Sequence, residues 1–397
     1  MVFDLLGAPT SCCRKARRAF TRLDLLVALL VVAMLCGGSV VWIRESRAKV
    51  RQGECLSNMR QVGLAIQQYE QRSTSSPYSG YRTYLQRHDG SGYVALKAPY
   101  PETRLGKPVA ISWVIELFPY FDGALAGWFF NSNVEGVFQG PKGIKIDYSR
   151  PHPYPSIDAL ICPSDPPADV KVAPLSYVAN TGMRDGPIAA QRDHRANGVF
   201  HDHYTDHRNS PTGRLLNDPK QQVIETVLST YIENGGDGLQ YTLMLSENID
   251  AGSFLDTDER FVGFTWAMPT EPVNTNTWTV NPPPNFRRIN QDIGKITSEI
   301  ENATLFQKQH SQGYPDESAP YYYFARPSSY HAGGVNMVFC DGHGQFVSEK
   351  IDYYVYCLLM TPRGNEVRDP ATGELLVAPG FAGPIGPPKF DEAWLRR

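Results

Sequence analysis

The chain has 397 residues, 42% of them hydrophobic and 20% charged, a balance that suits a folded globular protein of one large domain or two ordinary ones. The net charge of −3, with basic residues scattered beyond residue 51, argues against a nucleic-acid partner. The 34 glycines, 31 prolines and 21 tyrosines are typical of a loop-rich, β-containing extracytoplasmic domain.

The first predicted element is a membrane-spanning helix. Residues 25–43 form a run of 19 residues with no charge and no proline, and at about 1.5 Å per residue they match the roughly 30 Å hydrocarbon core of a bilayer. Basic residues before and beside the run predict a cytoplasmic N-terminus and a periplasmic or extracytoplasmic domain, anchored by a single pass in the inner membrane. They are Arg14, Lys15, Arg17, Arg18 and Arg22. The alternative is a cleaved secretory signal peptide, which usually has a shorter core and an Ala-x-Ala site.

The helical pattern continues beyond the span and becomes amphipathic. From Arg44 to about Glu70, apolar residues recur at steps of three and four: Cys55, Met59, Val62, Ile66 and Tyr69. No proline lies between Phe20 and Gln71, so we predict one helix of about fifty residues. Its second half is expected to pack this stripe on a globular domain.

Short apolar segments follow, separated by stretches rich in glycine and proline. The predicted strands are 159–162, 176–182 and 241–247. The segments 111–120 and 351–360 suit a buried helix or a strand. The stretches 185–240 and 267–325 are polar and interrupted by prolines, and they are predicted to be long insertions.

The strongest β signal is a hairpin near the C-terminus. Val335, Met337 and Phe339 alternate with other residues along one strand, and Asp341-Gly342 predicts the tight turn. His331 and Asp341 could also form a metal-binding or catalytic pair. We favour the structural interpretation, because a tight turn needs Asp-Gly for its backbone geometry.

Two other polar clusters suggest metal binding. Four histidines fall within the 14 residues 194–207 and could bind zinc: His194, His201, His203 and His207. The alternative is a polar surface loop, because no cysteine or apolar scaffold frames them. The segment 256–259, Asp-Thr-Asp-Glu, resembles a fragment of a calcium loop, and the favoured alternative is an exposed acidic turn. No cofactor is predicted.

The cysteines allow disulfides outside the membrane. Of the seven, four lie beyond the span: Cys55, Cys162, Cys340 and Cys357. An even number in an oxidising compartment permits two disulfides in three possible pairings. We favour Cys55 with Cys162, then Cys340 with Cys357, and the alternative is free buried thiols.

The residues just before the span resemble the prepilin processing site of type IV pilins and type II secretion pseudopilins. Arg17-Arg18-Ala19 precedes Phe20-Thr21-Arg22-Leu23-Asp24. The resemblance implies cleavage between Ala19 and Phe20 by a prepilin peptidase and N-methylation of Phe20. Ala19 stands in place of the family's glycine, Asp24 in place of its glutamate, and Arg22 where a hydrophobic residue is usual.

In that family the acidic residue pairs with the N-terminal amine of a neighbouring subunit during assembly, and Asp24 is the corresponding residue here. The physical logic is independent of the resemblance. A carboxylate in an apolar phase needs a cationic partner, and cleavage before Phe20 creates one.

Four motifs beyond the span resemble a large bacterial family that joins a prepilin-type N-terminus to a long extracytoplasmic domain of unknown function. They are a cysteine with Gln-x-Gly-x-Ala, Cys-Pro-Ser-Asp, Ser-Tyr-x-x-Asn-x-Gly, and a histidine followed after nine residues by Asp-Gly. Here they are Cys55 with 61–65, 162–165, 176–182, and His331 with Asp341 and Gly342. The resemblance implies a pseudopilin-like α+β fold, a long helix packed on an antiparallel sheet, and supplies no established reaction.

Together these features predict a structural subunit and not an enzyme, since no common catalytic fingerprint occurs. The predicted parts are a leader (1–19), a transmembrane helix (20–43), its amphipathic continuation (44–72), an α+β domain (73–360) and a mobile tail (361–397). The predicted partners are the membrane, a prepilin peptidase and other pilin-like subunits of a secretion or pilus-type assembly. The alternatives are a monomeric, membrane-anchored module that binds carbohydrate or envelope polymer, and a metal-dependent enzyme built on the histidines.

Overall fold

The computed structural model describes residues 22–71, 78–84, 86–88, 93–95, 110–121, 137–139, 145–147, 157–167, 173–184, 194–203, 226–269, 282, 286–291, 325–370 and 372–376. Two compact units divide the chain at residues 50 and 51. The described part of the first unit belongs to one helix, and the second unit holds the remaining elements.

Helix α1 (Arg22–Glu70) is continuous over 49 residues, as the absence of proline predicts. By length and composition it is apolar enough to cross a membrane, and none of the apolar residues whose burial the structure describes in this stretch is buried within the protein. Leu25, Leu30 and Trp42, for example, are exposed. An exposed apolar surface of this size on a helix suits contact with lipid or with other helices.

The second half of α1 buries the predicted stripe. Cys55, Met59, Val62 and Ile66 are fully buried and Tyr69 is nearly so, within one hydrophobic cluster. The cluster includes residues of the sheet described below, so this half of the helix is part of the domain core.

The described strands are β1 (Arg82–Tyr84), β2 (Gln86–His88), β3 (Tyr93–Ala95), β4 (Ala110–Ser112), β5 (Val137–Gln139), β6 (Lys145–Asp147), β7 (Tyr177–Met183), β8 (Leu243–Glu247), β9 (Gly263–Trp266), β10 (Gly334–Phe339) and β11 (Gly344–Ser348). The further described α-helices are α2 (Trp113–Glu116), α3 (Phe118–Phe121), α4 (Ser229–Glu233), α5 (Glu259–Val262) and α6 (Tyr353–Met360). The segment 111–120 therefore begins as a strand and continues as two short helices.

A five-stranded sheet with the order β11-β10-β8-β7-β9 forms the centre of the second unit. Its neighbouring strands are antiparallel except β7 and β9, which run parallel. The prediction of an antiparallel sheet is therefore wrong at this edge. The connection 248–262 carries the chain past β7, so that β9 pairs on its far side. The fold combines a long N-terminal helix with mixed α and β structure.

Two hydrophobic clusters flank this sheet. One contains the α1 stripe together with Val338 and Met244, and the other contains α6 together with Val335 and Met337. All eight residues of α6 are buried, and the helix begins where the carboxylate of Asp352 accepts a hydrogen bond from the Tyr354 N–H. The segment 351–360 is therefore a closing helix, fixed by burial on every face.

The C-terminal hairpin forms as predicted. Strands β10 and β11 are antiparallel, with Val335 opposite Val347. Gly342 has φ of +86°, the left-handed conformation that glycine adopts without steric cost. The carboxylate of Asp341 accepts a hydrogen bond from the His343 N–H, which stabilises the turn.

The tail prediction begins too early. Thr361 and Val367 are buried, and the Arg363 guanidinium lies 3.9 Å from the centre of the Tyr231 ring. Residues 361–370 are thus part of the folded domain, because apolar and cation–π contacts offset the low helix and strand propensity of their sequence. Residues 377–397 lie outside the described residues.

A candidate site around a buried disulfide

Cys55 and Cys162 are joined by a disulfide between α1 and a segment that precedes β7. This is the pairing that the sequence favours, and both residues are buried. The segment 159–162 is not the predicted strand, because the chain turns as a 3₁₀-helix over Asp158–Leu160. The Leu160 N–H donates to the Ile157 carbonyl at 2.8 Å in this turn, a local bond that the apolar run alone did not indicate.

Two side chains hold the disulfide-bearing segments together. The Tyr177 hydroxyl is 3.3 Å from the Cys55 carbonyl oxygen and 3.2 Å from that of Ile161. The Asn58 amide donates to the same Ile161 oxygen at 3.2 Å. Burial raises the pKa of Tyr177 far above its ordinary value, so its hydroxyl remains a proton donor. The tyrosine of the Ser-Tyr-x-x-Asn-x-Gly motif therefore positions the disulfide.

A buried glutamate and histidine lie against the disulfide. Nε2 of His331 is 3.1 Å from Oε1 of Glu247 and 3.5 Å from Sγ of Cys162. Sγ of Cys162 is 3.7 Å from the same glutamate oxygen. The four candidate ligand atoms of Cys55, Cys162, Glu247 and His331 all lie within 4.8 Å of one another, and all four residues are buried. We call these four residues the disulfide cluster.

Asn336 on β10 fixes the Glu247 carboxylate. Its backbone N–H donates to Oε2 at 2.8 Å, and its side-chain amide donates to Oε1 at 3.0 Å. The same amide donates to the Gln52 carbonyl of α1 at 3.1 Å. With His331, three donors converge on one carboxylate at the end of β8, which is how a buried carboxylate is made stable.

A pocket opens beside the disulfide cluster. The residues that line it include Cys162, Asp165, Glu247 and Tyr330, and Tyr330 is 60% exposed. Burial raises the pKa of Asp165 to about 6, and the nearby Asp250 and Glu247 carboxylates add to the shift. The pocket wall next to Cys162 is therefore lined with carboxylates, and it becomes more negative as pH rises through 6.

Some residues of the predicted motifs come together at the disulfide cluster, and others do not. Cys55, Cys162 and His331 come together there, although 107 residues separate the two cysteines. His331 does not pair with Asp341. The Asp341 carboxylate instead bonds Nδ1 of His343 at 2.6 Å on the exposed turn. The two parts of this motif therefore lie at opposite ends of β10. His331 belongs to the disulfide cluster, and Asp341-Gly342 forms the turn.

The histidines of 194–207 do not form a metal site among the described residues, where the disulfide cluster is the grouping with metal-ligand spacing. His201 is buried with Nε2 3.0 Å from the Gly198 carbonyl, and Nδ1 of His194 accepts a hydrogen bond from the Ala196 N–H. The His203 backbone bonds to Arg82. Each of these three residues thus makes a hydrogen bond with the backbone, and His207 lies outside the described residues.

The second predicted disulfide is wrong. Cys340 and Cys357 are free buried thiols in the two different hydrophobic clusters, and burial raises the pKa of each. They are therefore inert hydrophobic side chains.

The acidic segment 256–259 has a structural role. The Asp258 carboxylate accepts from the Arg260 N–H at the start of α5 and pairs with the Arg260 guanidinium. The Asp256 carboxylate accepts from the Ser253 N–H at 2.7 Å, and burial raises its pKa to about 6. These oxygens act as a helix cap and a turn acceptor, in place of the calcium ligands considered from the sequence.

The predicted processing and assembly residues lie at the other end of the chain. Asp24 is in the first turn of α1, where a carboxylate is favoured by the helix dipole. Ala19 and Phe20 lie outside the described residues.

Glu247 and Asn336 are site residues that the sequence analysis missed. Glu247 ends an apolar strand whose five residues are all buried, and Asn336 is fully buried within β10. A charged or amide side chain inside such a strand is a signal for a buried polar partner. The identity of that partner depends on contacts 84 to 89 residues apart in the chain.

Comparison with known proteins identifies the family. Residues 44–353 match the family described as a protein of unknown function, DUF1559, and all four residues of the disulfide cluster fall within that range. No curated protein matches the chain, and no solved structure matches it. Because the family match covers more than half of the 397 residues, the chain belongs to the DUF1559 family.

Proposed function

We propose that the protein is a pilin-like or pseudopilin-like subunit, anchored in the inner membrane by the apolar half of α1, with its domain outside that membrane. The observation that carries this proposal is the division of one continuous helix into two kinds of surface. Residues 25–43 are apolar, those of them whose burial is described are exposed, and the later stripe is built into the domain core. A pilin-like subunit needs both properties, since the first half packs with other helices and the second carries the domain.

The processing site supports the proposal independently of the fold. Arg17-Arg18-Ala19 followed by Phe20 and Asp24 resembles a prepilin leader and mature N-terminus, with alanine in place of the family's glycine and aspartate in place of its glutamate. Cleavage before Phe20 would expose an amine, and the Asp24 carboxylate of a neighbouring copy is its complement in the apolar phase. Burying both charges as a pair costs far less free energy than burying either alone.

Substitution of Asp24 tests this function. Two differently tagged full-length copies are co-expressed with a prepilin peptidase, and co-isolation from membranes in mild detergent measures assembly. We expect Asp24→Ala to lower co-isolation at least tenfold, with the membrane-inserted fraction unchanged. Asp24→Glu, which restores the family residue, should retain assembly, and Glu54→Ala on the exposed face of α1 is the matched control. Co-isolation of Asp24→Ala at the wild-type level would favour a monomeric, membrane-anchored binding module.

A further inference from the structure

The disulfide cluster contains the ligand set of a transition-metal site. We propose that reduction of the Cys55–Cys162 disulfide converts the cluster into a site for one zinc-like divalent cation, bound by the two sulfurs, Nε2 of His331 and a carboxylate oxygen of Glu247. The covalent link between α1 and the 157–162 segment is then replaced by a metal link. This inference concerns the domain core and does not depend on assembly in the membrane.

The spacing of the ligand atoms fits a tetrahedral centre. Zinc bonds of about 2.0–2.3 Å to nitrogen, oxygen and sulfur place neighbouring ligand atoms about 3.3–3.8 Å apart. Nε2 of His331, Oε1 of Glu247 and Sγ of Cys162 are separated by 3.1, 3.5 and 3.7 Å. Three of the four ligands thus have close to the required spacing already. The Cys55 sulfur has to move away from that of Cys162, which becomes possible when the bond between them is broken.

The surroundings of the ligands are those of an organised site. The Glu247 carboxylate is held by two hydrogen bonds from Asn336, the kind of outer contact that orients a metal ligand. The side-chain oxygen of Asn336 is buried and has no hydrogen-bond partner among the described residues.

The pocket beside the cluster gives a cation access. Cys162 and Glu247 line it together with Asp165, so its carboxylates attract a positive ion. Cys55 and Cys162 are 0% and 3% exposed, which excludes attack on the disulfide by a protein-sized thiol.

The chemistry balances with a phosphine or a dithiol as reductant. The S–S bond takes up two electrons and two protons and becomes two thiols. A phosphine supplies the electrons, takes an oxygen atom from water and becomes a phosphine oxide, and that water releases the two protons. A dithiol supplies both electrons and both protons and becomes a disulfide. The cation then displaces both thiol protons to solvent and bonds to both sulfurs. Nε2 of His331 binds a metal only without its proton, so the neutral ring takes the form protonated at Nδ1, and Nε2 and Oε1 of Glu247 exchange their mutual hydrogen bond for bonds to the metal.

Cobalt titration of the full-length protein in detergent tests this site. Cys12 and Cys13 are replaced by serine, since adjacent cysteines bind metals on their own. After phosphine reduction and anaerobic gel filtration, we expect one equivalent of Co²⁺ with a thiolate-to-cobalt charge-transfer band and tetrahedral d–d bands. Zinc should displace the cobalt. The oxidised protein should show neither the stoichiometry nor the bands.

Variants assign the binding to the disulfide cluster. His331→Ala and Glu247→Gln should each weaken cobalt binding at least tenfold, and His343→Ala, an exposed histidine outside the cluster, should bind like the parent. Reduced protein without the thiolate band, or equal affinity in His331→Ala, would overturn the proposal. If reduction alone unfolds the domain, as near-ultraviolet circular dichroism would show, zinc should restore the fold. A reduced chain that stays unfolded with zinc would equally overturn it.

Discussion

At the scale of single residues, Glu247 links the parts of the candidate site. It ends β8, accepts two hydrogen bonds from Asn336 of β10 and contacts His331 and Cys162. Removing such a carboxylate would leave three buried donors without an acceptor, and broken buried pairs of this kind typically cost about 3–5 kcal/mol. The glutamine variant is therefore preferable to alanine for functional tests, because it keeps the volume and one acceptor oxygen.

Asp256 makes the stability of the domain depend on pH. Its pKa is raised to about 6 in the folded protein, first by burial and then by the Asp258 carboxylate, so the folded state favours the protonated form. The contribution of Asp256 to the stability of the folded state is therefore fully present below about pH 4 and is lost as pH rises through about 6. Asp256→Asn imitates the protonated form, and we expect it to be more stable than wild type above about pH 6 and equal to it near pH 4.

Thermal unfolding of the full-length protein in detergent at the two pH values measures this effect. Glu374→Gln, at an exposed carboxylate, is the control and should leave the pH dependence unchanged. A constant difference between Asp256→Asn and wild type at both pH values would contradict the assignment to Asp256.

Single residues also show what the sequence could and could not predict at the site. The Cys55–Cys162 pairing could be predicted because four cysteines allow only three sets of disulfides. The Asp341-Gly342 turn could be predicted because a tight turn needs these residue types next to each other. The role of His331 could not be predicted, because its partner Glu247 lies 84 residues earlier. The Cys340–Cys357 disulfide was wrong for a related reason, since the sequence does not say which side of the sheet each thiol faces.

At the scale of elements, the packing of α1 on the sheet depends on Gly63. A Cβ atom at this position would lie 3.1 Å from Cγ1 of Val338 and 3.3 Å from Cε of Met244. The glycine thus lets the helix lie close to β10 and β8. Gly53, on the exposed face of the same helix, would place its Cβ in open space.

The two glycines give a matched test of that packing. Gly63→Val should lower the free energy of unfolding by about 1–3 kcal/mol, because the added carbons overpack the contact with Val338. Gly53→Ala should raise it by up to about 1 kcal/mol through helix propensity. Denaturant unfolding of the full-length protein in detergent measures both. A stable Gly63→Val protein would mean that the helix does not pack on the sheet at this distance.

The elements that could be predicted from the sequence are those whose apolar residues recur at a regular spacing. The α1 stripe at 55, 59, 62, 66 and 69 matches the structure, because this part of the helix has one buried face. The alternation in β10 also matches, although both faces of the strand are buried, since Val335 and Met337 lie in one hydrophobic cluster and Val338 lies in the other. Helix α6 is buried on every side, so its sequence carries no period that separates helix from strand. The parallel pairing of β9 depends on how the connection 248–262 crosses β7, which no local pattern specifies.

At the scale of the whole molecule, the chain is a DUF1559 family protein, and its described residues include one helix able to cross a membrane and a domain built on a five-stranded sheet. The uncharged run 25–43 was enough to predict a helix able to cross a membrane, and the strand patterns together with the family resemblance predicted the mixed α and β domain. The proposed assembly rests on residues at the start of α1, and the proposed metal site rests on residues in the domain. The two proposals can therefore fail separately.

Mass spectrometry of the mature N-terminus tests the proposed pilin-like function most directly. The protein is isolated from the membranes of cells that contain a prepilin peptidase, and its N-terminal peptide is sequenced. We predict a chain that begins at N-methylated Phe20, with Ala19→Lys as an uncleaved control. An intact leader in the wild-type protein would contradict the account and leave a membrane-anchored domain without a pilin-type assembly helix.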